Sequence, residues 1–267
     1  MARLSISNAW QETSAFLARE TRLLVPLALA LLFLPGVIAG LAAPNGRPTD
    51  MEASGTFLLL FFLEVLIGAI AQLAIARLAL GHREQLGESI RHAAMRLPAY
   101  VGALLIVGLP LSFLLGAAIA VARGLVKGVS PGLALVVLIV IILLSAALII
   151  AAVRCLLNTA IASVEPGGPL RLLKRGFALT RGQALRLLGA ALLFLIGGGI
   201  ATVALTSAVG AIVLLALGPP QPWTVAALLV AIVGAAAQAA FGVVFTVFFA
   251  RVYAQRVAEP SVPSSAN

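Results

Sequence analysis

The sequence predicts an all-α, polytopic membrane protein with six transmembrane helices and three short amphipathic helices on one basic face. Its composition is the first reason, because 62 % of the 267 residues are hydrophobic and only 10 % are charged. A soluble domain carries roughly 25 % charged residues. Two further reasons are the long uncharged stretches that recur along the chain and the concentration of basic residues in every second loop. Lipid is therefore expected to cover most of the surface.

Six apolar stretches are long enough to cross a bilayer, whose hydrocarbon core takes about 20 helical residues. The second stretch is interrupted only by Glu64, and the last two are separated by the proline-rich segment 218–223, which a helix interior does not tolerate. The predicted spans are approximately 23–43, 56–80, 98–122, 130–153, 187–217 and 223–250.

The predicted spans divide the chain into a cytoplasmic amphipathic segment (1–22), a six-span membrane domain (23–257) and a polar C-terminal tail (258–267). Because a long polar segment precedes the first span, we expect this span to be retained, unlike the short apolar region of a cleaved signal peptide.

The basic residues predict the orientation of the chain. Of its 18 Lys and Arg residues, all but three fall at the termini, between spans two and three, or between spans four and five. Basic loops stay on the cytoplasmic side of a membrane, so both termini are expected to be cytoplasmic. The net charge of +9 then reflects this asymmetry, and nucleic acid is not expected as a partner. The three exceptions are Arg47, Arg123 and Lys127.

An amphipathic segment precedes each odd-numbered span. Apolar residues recur three and four positions apart, with polar or basic residues opposite them, as in helices that lie in the headgroup plane. Helix, span and span would then form a unit that occurs three times, unless the likeness among Leu- and Ala-rich spans is accidental. The residues that line one face of each segment are Ile6, Trp10, Thr13, Phe16 and Leu17; Leu86, Ile90, Ala93 and Leu97; and Leu170, Leu173 and Phe177. The candidate lipid-headgroup contacts are Arg171, Lys174, Arg175, Arg181 and Arg186.

Three polar residues inside the predicted spans form a candidate intramembrane site: Glu64, Gln72 and Gln238. A charge at the bilayer centre costs about 2.5–3.5 kcal/mol on insertion scales. Glu64 therefore indicates either a proton or cation site in a transporter, or a protonated or hydrogen-bonded carboxyl, paired for example with Arg123 or Lys127. Glutamines within spans more often join helices than bind substrate.

Small residues four positions apart predict close helix packing in span five, at Gly198, Thr202, Thr206 and Gly210. The apolar stretch of this span, 187–217, would measure about 46 Å as one helix, which exceeds the bilayer core. Either the helix tilts and protrudes, or Gly197–Gly199 breaks it as in some transporters. We favour the first alternative because no polar cluster surrounds these glycines.

The inventory of reactive side chains favours a non-catalytic protein. His82 and His92 lie ten residues apart in one predicted loop, with no cysteine and no second carboxylate cluster at metal-ligand spacing, whereas zinc takes three or four converging ligands. Gly197–Gly199 lacks the lysine and the strand–helix context of a phosphate-binding loop. We predict no metal, no cofactor and no catalytic residue.

The segment 165–182 resembles a block that recurs in bacterial six-span proteins similar to the membrane domain of glycerophosphoryl diester phosphodiesterases. The resemblance extends to Ala9-Trp10 before the first span and to Tyr253 and Arg256 after the last. The family pattern has Ser-Trp where this chain has Gly176-Phe177. The resemblance implies six spans in a bacterial inner membrane and no catalytic residues.

Three functions follow, in order of preference. The first is a non-catalytic inner-membrane protein, structural or concerned with envelope homeostasis, whose basic cytoplasmic face contacts anionic lipids of the inner leaflet. The second is a small transporter or exporter with Glu64, Gln72 and Gln238 along its path. An intramembrane lipid enzyme comes last. Expected partners are membrane lipids and either a second copy of the chain or another membrane protein.

Overall fold

A computed structural model describes residues 5–42, 55–82, 86–126 and 131–258. All regular structure in these ranges is helical, and six helical stretches are long and apolar enough to cross a membrane. The all-α fold class with six spans is thereby confirmed. The elements are α1 (Ile6–Arg19), α2 (Thr21–Ala28), a π-helical turn (Leu29–Phe33), α3 (Leu34–Ala42), α4 (Gly55–Ala79), α5 (Leu86–Val126), α6 (Pro131–Arg154), α7 (Asn158–Val164), α8 (Pro169–Leu179), α9 (Ala184–Leu217) and α10 (Val225–Ala258).

The first span is a composite of α2, the π-helical turn and α3. Pro26 lies inside α2 and has no N–H to donate to the preceding turn, which weakens the regular helical ladder. The Leu29 N–H points towards the carbonyls of both Val25 and Pro26, and the wider turn begins at this residue. Such turns occur inside α-helices frequently at functional sites.

Helix α10 lies at the centre of the bundle, where it packs against α1, α2, α3, α4, α7, α9 and the π-helical turn. Small residues allow the close approach of α3. A Cβ added to Gly40 would lie 3.0 Å from the Ala231 Cβ, and one added to Gly36 would lie 3.2 Å from the Ala235 Cβ.

Helix α9 runs without a break through Gly197–Gly199, so the alternative in which these glycines interrupt span five is wrong. Two of the small residues predicted to mediate packing do face α10. Gly198 lies against the Phe241 ring, and a Cβ on Gly234 would lie 3.5 Å from the Thr206 methyl group. Of the three glycines only Gly198 packs against α10, and a Cβ on Gly197 or Gly199 would meet nothing within 4 Å.

Two of the three predicted amphipathic segments, α1 and α8, are separate helices. The third is the beginning of α5, which continues through Pro98 and Pro110 for 41 residues. Helix α1 also differs in the face that it buries. Ala9, Thr13 and Phe16 are buried because α1 lies against α10, whereas Ile6 is 36 % exposed and Trp10 is 49 % exposed.

The chain returns from α6 through a short buried helix. After Arg154 a turn leads into α7, which packs against α4, α5 and α10 and is followed by α8. Helix α8 contacts α5 closely, since a Cβ on Gly102 would lie 2.7 Å from the Pro169 ring. Helices α7 and α8 thus cover the basic end of the bundle. Residues 1–4 and the tail after Ala258 lie outside the described residues, and the threefold repeat stays a prediction.

Candidate functional site

A cavity of about 500 Å³ lies between the π-helical turn, α4, α5 and α10. All three residues of the predicted intramembrane site line it: Glu64, Gln72 and Gln238. Glu64 and Gln72 share one face of α4 because they are eight residues, or about two turns, apart. We call this space the Glu64 cavity.

Small residues make room for the cavity, and leucines form one of its walls. Gly68 lies between Glu64 and Gln72 on the same face of α4 and contributes no side chain. Gly242 does the same on α10, one turn after Gln238. Leu31 and Leu32 of the π-helical turn form part of the wall beside these glycines. The composite first span therefore shapes the cavity directly.

The Glu64 carboxylate has no hydrogen-bond or ion-pair partner among the residues that the structure describes. Its Oε1 atom lies 3.7 Å from the position that a Cβ on Gly36 would take, so it faces the backbone of α3. Of its two predicted partners, Lys127 and the side chain of Arg123 both lie outside the described residues. An acid without a cation beside it in an apolar surrounding favours a ligand that supplies positive charge or a proton.

Tyr100 is a cavity residue that the sequence analysis missed. Its side chain is 5 % exposed, and its hydroxyl lies 3.4 Å from Gln72 Oε1 and 3.0 Å from Thr159 Oγ1. The hydroxyl donates to the Gln72 oxygen, which leaves it free to accept from Thr159. These contacts connect the cavity to α7. Within an apolar span, the polar tip of a tyrosine is the signal that could have identified it.

A second polar cluster joins α7, α8 and α10 at the basic end. Glu165, directly after α7, accepts hydrogen bonds from Tyr253 Oη at 2.8 Å and Arg175 Nε at 3.1 Å. Arg256 donates to the Leu179 carbonyl at 3.0 and 3.1 Å, and Arg77 donates to the Ser163 carbonyl at 3.0 Å. Both carbonyls belong to the last turn of a helix, where no intrahelical donor remains. The cluster therefore fixes α7 and α8 in place.

The five candidate lipid contacts are all exposed: Arg171, Lys174, Arg175, Arg181 and Arg186. Helix α8 has three distinct faces. Leu172, Leu173 and Gly176 are buried, Leu170 and Phe177 are exposed, and the basic residues occupy the remaining face. The predicted apolar face is thus only partly correct, because Leu173 packs inwards whereas its two predicted neighbours point outwards.

The fold and the Glu64 cavity together define a multi-pass α-helical membrane protein with a polar site inside its helix bundle. A family model described as "Domain of unknown function (DUF7847)" matches residues 4–256, and the chain belongs to this family. Comparison with curated proteins gives no significant match, and neither does comparison with solved structures. The match agrees with the prediction of an uncharacterised family. It provides no link to the membrane domain of glycerophosphoryl diester phosphodiesterases, so that resemblance stays a prediction.

Proposed function

We propose that this protein is a membrane carrier that binds a small cationic solute, or a proton, in the Glu64 cavity. The observation that carries this proposal is the convergence of Glu64, Gln72 and Gln238 on one cavity of about 500 Å³. Had the same residues only joined neighbouring helices, they would be expected to bond one another across dry contacts. From the sequence alone the carrier ranked second among the candidate functions, and the cavity is the reason for which we now prefer it.

The chemistry of the cavity favours a cation over an anion. Glu64 supplies the negative charge, while the amides of Gln72 and Gln238 each offer an oxygen acceptor and two N–H donors. Apart from the Tyr100 hydroxyl, the other side chains of the lining are aliphatic or aromatic, which suits the carbon skeleton of a small amine. Ionisable groups within a membrane mark ion and proton pathways by default.

Flux through proteoliposomes tests the carrier. We expect the wild-type protein to take up radiolabelled methylammonium, or to dissipate a proton gradient, and we expect Glu64→Gln to reduce the active flux at least about tenfold. The substitution keeps the size of the side chain and removes its charge. Glu88→Gln is the matched control, since Glu88 is an exposed acid of α5 outside the cavity. If, for each of the two probes, the wild type, Glu64→Gln and empty liposomes all gave the same flux, the proposal would be contradicted.

A second candidate function, favoured by the three faces of α8, is the non-catalytic structural protein that binds anionic lipid. The exposed apolar residues Leu170 and Phe177 adjoin the basic face, as in helices that lie in the headgroup layer. A basic residue near an anionic membrane surface contributes about 1 kcal/mol of attraction.

Lipid that copurifies with the protein tests this second function. We expect the triple variant Arg171→Gln, Lys174→Gln, Arg181→Gln to retain several-fold less anionic relative to zwitterionic lipid, measured by mass spectrometry. The variant leaves Arg175 and its bond to Glu165 intact, so the fold is preserved. An unchanged lipid ratio would remove the support for this role.

The proposal also includes a location, the bacterial inner membrane, with the basic end and both termini in the cytoplasm. In a Cys155→Ser background, we expect Gln221→Cys to react with a membrane-impermeant maleimide in intact spheroplasts. Ala258→Cys should react only after permeabilisation, because it lies at the other end of α10 from the 218–223 segment. The reverse labelling pattern would invert the orientation.

A further inference from the structure

A second cavity, of about 640 Å³, lies between α9 and α10 and is bounded at one end by α1. Its lining is almost entirely aliphatic and aromatic, and it opens outwards, since Leu193 is 73 % exposed and Leu205 is 48 % exposed. From Leu193 to Leu205 it extends about 18 Å along α9 at the rise of an α-helix. One leaflet of a bilayer core is about 15 Å thick. We call this cavity the α9–α10 groove.

One end of the groove carries the features of a membrane interface. Trp10 of α1 lines it there, half-exposed and packed on Phe194 with ring centroids 5.9 Å apart. Tryptophan side chains concentrate at the level of lipid headgroups. Arg186 is exposed and lies seven residues before Leu193, on the same face of α9 and about two turns closer to the basic end.

We propose that the α9–α10 groove binds one acyl chain of an anionic phospholipid, with the phosphate of its headgroup paired with Arg186. The apolar groove, one leaflet long, matches the acyl chain of such a lipid. Trp10 lies at the level of the glycerol region, and Arg186 beyond it matches the phosphate. The lipid would come from the leaflet at the basic end.

Charge argues against a second copy of the chain as the occupant. Copies inserted in one membrane share their orientation, so a neighbour that filled the groove would bring its own basic end to Arg186. Like charges at an interface are unfavourable, whereas a phosphate is attracted. The proposal does not depend on transport, because none of the polar residues of the Glu64 cavity lines the groove.

The two tryptophans of the chain provide the test. In Trp223→Phe, Trp10 is the remaining tryptophan, and its fluorescence reports on the groove. We expect brominated phosphatidylglycerol to quench it with about fivefold higher apparent affinity than brominated phosphatidylcholine in a phosphatidylcholine bilayer. Arg186→Gln should bring this ratio close to one, while Arg171→Gln on α8 should leave it unchanged. Trp10→Phe, which retains Trp223 in the 218–223 segment, should show no preference between the two lipids.

A substitution that fills the groove distinguishes lipid binding in the groove from general contact between lipid and the protein surface. Gly197 lines the groove and a Cβ on it would meet no atom within 4 Å, so Gly197→Leu should block the acyl chain without disturbing α9. Gly199→Leu is the control, since Gly199 has equal space but does not line the groove. We expect the apparent affinity of the bromolipid that quenches Trp10 to fall about threefold in Gly197→Leu. In Gly199→Leu we expect no change. Equal quenching by both bromolipids in Trp223→Phe, or unchanged quenching in Gly197→Leu, would overturn the proposal.

Discussion

Glu165→Ala is expected to lower the free energy of unfolding by about 1–3 kcal/mol, mainly because it leaves the part-buried Tyr253 hydroxyl without its acceptor. Tyr253 is 5 % exposed, so water does not readily replace the lost bond. The ion pair with Arg175 contributes less, because the Arg175 side chain is 45 % exposed and exposed pairs are worth about 0–1 kcal/mol. Limited trypsin digestion should then cleave α8 at Arg171 and Lys174 faster than in the wild type.

Two control variants isolate the role of Glu165. Glu165→Gln keeps an oxygen acceptor for Tyr253 and should lose only a fraction of the stability lost in Glu165→Ala. Glu20→Ala removes an acid whose partner, Arg19, is 66 % exposed, and should change stability by less than about 1 kcal/mol. If Glu165→Ala and Glu20→Ala unfold at the same temperature and resist trypsin equally, the cluster does not hold α8.

Gly198→Ala is expected to destabilise the protein by about 1–3 kcal/mol, the usual cost of overpacking. A methyl group at this position would overlap the Phe241 ring, which contacts Phe245 at 5.7 Å between centroids. Phe241 can relieve the overlap by moving towards the α9–α10 groove that it lines, which changes its contact with Phe245, or by separating α9 from α10. Thermal unfolding in detergent measures the change, and the labelling of the single cysteine, Cys155, is used to monitor it.

Gly199→Ala is the matched control for this substitution. It lies one residue further along α9, and a Cβ on it meets nothing within 4 Å. Alanine favours a helix over glycine by up to about 1 kcal/mol, so the control should leave the midpoint unchanged or raise it. Equal destabilisation by both substitutions would mean that loss of glycine itself, and not contact with α10, causes the effect.

The spans could be predicted because the solvent around them decides their composition. Residues that face hydrocarbon must be apolar over the whole thickness of a membrane, and this requirement is visible in a single sequence. The polar site followed from the same rule, since Glu64, Gln72 and Gln238 are exceptions to it. That they share one cavity could not be predicted, because it depends on how α4 and α10 are rotated against each other.

The missed features depend on contacts between residues far apart in the chain. Tyr100 joins the site through Gln72 and Thr159, which lie in two other helices. Glu165 and Tyr253 are 88 residues apart, and neither side chain is unusual in its local sequence. Amphipathic periodicity predicted two helices where the structure has the single helix α5. The helix continues through Pro98 because neighbouring helices support it.

The central place of α10 has a consequence for biogenesis. The ribosome synthesises α10 after all the helices that α10 contacts. Until α10 is inserted, the earlier helices can associate only with one another. The glycines of α3 that contact Ala231 and Ala235 lack these partners during this interval. Nascent chains arrested before α10 should therefore be the preferred substrates of membrane quality-control proteases, whereas chains arrested after it should escape them.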